Sequence, residues 1–109
     1  MKSTDKKKTH SGVEATIKVI GPKWTVLIIK ELMEGTRRFG ELEKALHGIS
    51  PRTLSLRLAH MEKMAVLERK VYPEVPPRVE YKLTATGKAL DPILKAMQSW
   101  GNSALSKKK

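Results

Sequence analysis

The sequence predicts a mostly α-helical domain with one small β-hairpin, and three observations carry that expectation. Two amphipathic helical patterns meet at the break Gly48-Ile49-Ser50. Just past Met64 the hydrophobic period changes from that of a helix to that of a strand. A proline-rich link then separates two alternating runs, which reads as a hairpin. Helix, tight turn, helix and hairpin in that order make a winged helix-turn-helix.

The elements follow in chain order. Residues 13–20 form a short apolar helix that stops at Gly21. Pro22 starts a second helix with apolar positions Trp24, Leu27, Ile28 and Leu32, Trp24 being core, and Gly35 supplies its C-terminal stop. In the third helix Phe39, Leu42 and Leu46 recur at helical spacing with Ala45 beside them, while Glu41, Glu43 and Lys44 face water. Gly48 ends it. Ser50 has the side-chain oxygen of an N-cap, and Pro51 fits the first helical position, where a missing N–H costs nothing.

Spacing residues about 100° apart around the axis of this fourth helix puts Leu54, Leu58, Met61 and Ala65 on one stripe. The opposite side carries Arg52, Thr53, Leu56, Ala59, His60 and Lys63, so only the first stripe is core. Residues 66–71 alternate and close at Tyr72-Pro73; residues 79–83 alternate likewise, and the link between contains three prolines, which cannot join a ladder. A two-stranded hairpin is marginal alone, so it must pack on the helices. Thr84 N-caps a long helix, kinked at Pro92, with Leu90, Ile93, Leu94, Met97, Trp100 and Leu105 on a broad apolar side.

The chain of 109 residues makes one domain over 12–105, flanked by basic tails at 1–11 and 106–109 that are expected to be disordered. The net charge of +11 is partly theirs: the tails hold seven of the 22 basic residues and one of the 11 acidic ones, leaving 15 against 10. The remaining excess still favours a polyanion. No apolar run is long enough to span a membrane and no signal-peptide pattern is present, so a cytoplasmic protein is expected.

Zero cysteines exclude disulfides and thiolate chemistry, and His10, His47 and His60 lack ligand spacing, so neither a metal nor a cofactor is expected. Catalysis is not expected either. There is no Gly-rich phosphate loop, no nucleophile with a base, and no carboxylate cluster.

A basic chain with a helix-turn-helix points to double-stranded DNA. The fourth helix has cations and hydroxyls on its polar side, suited to the major groove. Arg52, near its N-terminal end, is the candidate for guanine recognition. Lys63 shares that face. Ser50, Thr53, Ser55 and His60 are candidates for base or phosphate contacts, and Leu56 for a thymine methyl.

Lys23 and Arg38, each near a helix N-terminus, are placed to hold phosphates. Arg78 adjoins the proline-stiffened hairpin tip, where DNA contact competes with a pair to Glu80 or Glu68; Arg57 lies nearer the core stripe and is expected to pair with Glu62 or Glu41. The apolar side of the last helix exceeds what one small domain covers. Leu94, Met97, Trp100 and Leu105, joined by Val13 and Ile17, therefore form a candidate homodimer interface, which implies a palindromic site. A sequence-tolerant RNA or chromosome-architecture protein and a protein-binding winged helix remain the alternatives. A small-molecule effector near Trp24, Met97 or Trp100 stays open, and none is claimed.

The runs Val19-Ile20-Gly21-Pro22-Lys23-Trp24-Thr25, Arg38-Phe39-Gly40-Glu41-Leu42, Gly48-Ile49-Ser50 and Val75-Pro76-Pro77-Arg78-Val79-Glu80-Tyr81, with Leu83-Thr84, Gly87 and Trp100-Gly101, resemble the HxlR-type winged-helix regulators, relatives of the MarR group. The resemblance covers about residues 11–102. It implies a homodimeric, sequence-specific bacterial DNA-binding repressor or activator. It also implies that the helix from about Ser50 to Met64 enters the major groove, that the wing near Arg78 reaches flanking DNA, and that the terminal helices dimerise. Many members carry a redox-sensing cysteine in a Cys-Pro-Val-Glu pattern. This chain has Ser11-Gly12-Val13-Glu14 there, so that switch does not transfer. Leu56 and Ala59 replace residues that are usually polar, which unsettles any inherited operator sequence.

Overall fold

The structure, a computed structural model, describes residues 11–106; the tail residues 1–10 and 107–109 lie outside it. Ser11 and Ser106, expected in the tails, are instead the first and last residues of helices. In chain order the elements are α1 (Ser11–Ile20), α2 (Thr25–Met33), β1 (Arg37–Arg38), α3 (Phe39–Ala45), α4 (Pro51–Lys63), β2 (Leu67–Tyr72), β3 (Arg78–Leu83), α5 (Ala85–Lys88) and α6 (Asp91–Ser106). The three strands form an antiparallel sheet in the order β1-β3-β2. The hairpin register runs from Leu67 opposite Leu83 to Tyr72 opposite Arg78.

The core lies where α2, α3 and α4 meet the base of the sheet. Ile28 and Ile29 of α2, Leu42 of α3, and Leu54, Leu58 and Met61 of α4 are buried against Val66, Leu67, Tyr81 and Leu83. The buried residues of α4 are three or four apart, and those of α2 recur as Thr25, Ile28, Ile29 and Leu32, as burial of a single face requires. Phe39, Trp24, Leu90 and Leu94 pack on the rim of this core, half-buried.

Five expectations change. First, α2 begins at Thr25 rather than Pro22: Trp24 takes a left-handed conformation (φ 81°) as N-cap, and the Thr25 N–H donates to the Pro22 carbonyl at 3.2 Å, closing a turn. The buried face of α2 is accordingly Thr25, Ile28, Ile29 and Leu32, and Leu27 is 48% exposed. Second, Ala65 is exposed, because α4 ends at Lys63 in a Schellman turn. Val66 N–H donates to Met61 O at 3.1 Å and Ala65 N–H to Glu62 O at 3.0 Å, with Ala65 at φ 63° in the position glycine usually fills.

Third, the long C-terminal helix is two helices rather than one kinked one. Thr84 caps only α5, its Oγ1 accepting from Gly87 N–H at 3.1 Å. Pro92 has no N–H and its ring would collide with the preceding turn, so the chain restarts at Asp91 with proline inside the first turn of α6. Fourth, β1 is a third strand that pairs Arg37 with Tyr81 and Arg38 with Glu80. Fifth, Arg57 bonds neither Glu62 nor Glu41: its Nε donates to the Lys23 carbonyl at 2.8 Å.

Candidate nucleic-acid interface

The start of α4 is built as its sequence suggests. Ser50 Oγ accepts from the Thr53 N–H at 3.0 Å and donates to Thr53 Oγ1 at 2.9 Å. Such a cap contributes about 1 kcal/mol and fixes the first turn. It also commits the Ser50 hydroxyl to Thr53, whose own O–H has no acceptor among these bonds. From this start, Arg52, Leu56, Ala59 and Lys63 follow at spacings of four, three and four residues with Ser55 beside them, and all five are exposed. They make one continuous stripe without a carboxylate, opposite the buried Leu54, Leu58 and Met61. Leu56 is 53% exposed, a large apolar side chain facing solvent in the middle of a polar stripe. His60 sits on the flank, half-buried.

One side of the stripe opens into a cleft of about 340 Å³ between α4 and the sheet, lined by Ser55, Leu58, Ala59, Glu62, Arg69 and Tyr81. Arg69 is the cation that sequence reasoning passed over. It occupies β2 in the same parity as Leu67 and Val71, on the face turned to the helices, yet it is exposed and has no ion-pair partner among the described residues. A cation at core parity was the available signal. Arg52 and Lys63 lie on the exposed stripe, and Arg69 lines the adjoining cleft together with the acid Glu62.

The remaining predicted contacts are distributed around this centre. Lys23 is exposed in the turn before α2, whose N-terminus has no side-chain cap. Arg38 is the N-cap of α3 and its side chain is exposed, but its N–H is taken by Glu41 Oε1 at 2.8 Å, so a carboxylate already occupies that helix end. Arg78 is braced on three sides. Its guanidinium lies 3.9 Å from the Tyr72 ring centroid, with Glu74 at 3.3 Å and Glu80 at 3.4 Å. Of the two pairings open from sequence, Glu80 is the one formed, and Glu74 joins it.

Around the terminal helices, Val13, Ile17, Met97, Trp100 and Leu105 are exposed, Trp100 at 68%. Leu94 is half-buried on its own protomer's core, so only part of it faces outward. Leu27 and Met97 share a shallow groove between α2 and α6. No helix among the described residues is long and apolar enough to cross a membrane.

Residues 19–109 match the HxlR-like helix-turn-helix family. The chain belongs to that family. An HTH-type transcriptional regulator of Synechocystis sp. (sll1512) is 44% identical over 93 residues, covering 85% of this chain and 69% of the relative. A MarR-family regulator of Enterococcus faecalis V583 has a crystal structure with a TM-score of 0.80 and 41% identity, over 90% of this chain and 89% of that one. The redox regulator HypR in its reduced form gives 0.81 at 40% identity, over 84% and 91% of the two chains. This HxlR-like protein is therefore a DNA-binding helix-turn-helix transcriptional regulator with a winged fold.

Proposed function

We propose that this HxlR-like regulator is a cytoplasmic repressor that binds a palindromic operator as a homodimer, with α4 in the major groove. The observation that carries the reading is the acid-free stripe Arg52-Ser55-Leu56-Ala59-Lys63, exposed along the full length of a helix whose other face anchors it to the core. Arg52 reads a guanine, Leu56 lies against a thymine methyl, and Ser55 contacts a base or phosphate. Lys63, Lys23, Arg38 and Arg69 hold phosphates, which position the helix without reading sequence. The capped Ser50-Thr53 turn and the braced Arg78 set the shape of the surface more than they contact DNA. His60 supports the flank of α4.

Dimerisation rests on the apolar side chains that one protomer leaves uncovered, Val13, Ile17, Met97, Trp100 and Leu105, with the outer edge of Leu94. Two-fold symmetry then places two α4 helices roughly 34 Å apart on one side of the duplex, which calls for a palindrome. Repression needs only that such a dimer occupy a promoter. HypR is a redox regulator, but these 109 residues contain no cysteine, so a thiol switch is not carried over.

The test is selection of bound duplexes from a random pool at physiological salt, then titration of the winner against a scrambled control. A palindromic motif bound ~10³-fold or more tighter than the control is expected. Recovery of no motif, with affinity that collapses on adding salt, would replace operator binding with sequence-tolerant nucleic-acid binding.

A further inference from the structure

The bond from Arg57 to Lys23 serves neither the core nor the groove face. Arg57 projects from the flank of α4, half-buried, and its Nε donates to the Lys23 carbonyl oxygen at 2.8 Å across 34 positions of the chain. We infer that Arg57 is a positioning residue that fixes the angle between the recognition helix α4 and the arm α1, and thereby the half-site spacing that a dimer accepts. The inference rests on the homodimer reading above.

The turn that receives this bond is unusually constrained. Gly21 N–H donates to Ile17 O at 2.7 Å, and a Cβ at Gly21 would stand 2.5 Å from that same oxygen, so α1 enters the turn with no room for a side chain. Trp24 holds φ 81°, a region that bulky residues avoid. Strain of this kind persists only where surrounding contacts over-determine it. Two such contacts are present. The far edge of the Trp24 ring lies 3.9 Å from where a Gly48 Cβ would be, in the turn between α3 and α4, and Arg57 holds the carbonyl that precedes Trp24.

The turn leading out of α1 is therefore tied to α4 at two points, the turn that precedes it and its middle. Arginine suits the task, because its guanidinium is planar and always charged, so the direction of the Nε–H is set and the bond is of the stronger, charge-assisted kind. Val13 and Ile17, the exposed apolar residues of α1, lie on the far side of this junction. A tilt at Lys23 moves the partner subunit's recognition helix relative to this one. Spacing selectivity is the quantity that such a tilt changes, whereas contacts within one half-site are left intact.

Arg57→Met removes the donor and keeps an apolar stem; Arg57→Lys keeps a donor. Both, with the wild type, are titrated against a single half-site duplex and against full operators with the spacer shortened or lengthened by one and two base pairs. Thermal unfolding and sedimentation serve as controls. For Arg57→Met, half-site affinity should stay within about twofold while affinity at the optimal spacing falls about tenfold and the optimum broadens. Arg57→Lys should recover part of the loss. Unchanged spacing selectivity in Arg57→Met overturns the inference, as does an equal loss on half-sites and full sites, which would mark a role confined to α4. A wild type without any spacing preference would remove the homodimer reading and this inference together.

Discussion

Arg52 and Lys23 are both exposed cations, and the roles proposed for them draw on two kinds of binding energy. Arg52 stands one residue past the Pro51 that opens α4, where side chains meet base edges first. Arg52→Ala should cost ~1–3 kcal/mol on the operator, relax preference at one base pair, and leave random DNA almost unaffected. Lys23→Ala should instead weaken every sequence alike and lower the slope of log K against log salt by about one. Titrations at several salt concentrations on operator and scrambled duplexes distinguish them. Equal losses for Arg52→Ala on both duplexes would reassign it to phosphate. Arg78 shows how far a side chain's surroundings change its role. Beside a proline-stiffened tip its sequence leaves open a DNA contact or a pair with Glu80 or Glu68, and in the fold Tyr72, Glu74 and Glu80 surround it and offset its charge locally.

At the scale of elements, the boundaries of α4 set the geometry of the site. Its N-terminus is written locally, in Ser50 and Pro51, and is found as expected. Its C-terminus depends on Ala65 adopting a left-handed conformation for which alanine is poorly suited. Two further bonds show why the turn is held: Thr84 Oγ1 donates to Ala65 O at 2.7 Å, and Thr84 N–H to Val66 O at 3.1 Å. Glycine at this position removes the Cβ conflict, although it costs more backbone entropy on folding. Ala65→Gly should therefore stabilise the protein by about 0.5–1 kcal/mol, read as a higher midpoint in urea unfolding with an unchanged slope. A lower midpoint would show that the Cβ is tolerated without strain.

For the whole molecule, the apolar surface left around α1 and α6 is the feature that a single protomer does not resolve. Trp100 is mostly exposed, so replacing it should leave the protomer fold intact. Trp100→Glu should halve the mass seen in sedimentation without changing the far-ultraviolet circular dichroism. It should also lower operator affinity ~10²-fold or more, because two half-sites no longer share one binding event. An unchanged mass would move the interface away from α6.

The residues that carried the reading of this chain act over short range. The Ser50-Pro51 start, the spacing of Leu54, Leu58 and Met61, the alternation in β2 and β3 and the excess apolar surface on α6 each depend on a few neighbouring side chains, so a linear pattern displays them. The features it hides arise from contacts between distant segments. β1 is two residues long and exists only by pairing with β3, more than 40 positions away. The left-handed Trp24, the Arg57–Lys23 bond and the orientation of Arg69 into the α4 cleft are likewise products of packing. Hydrophobic period and capping chemistry select the elements; the angles between those elements, and so which cations come to share one surface, follow from how their buried faces fit together.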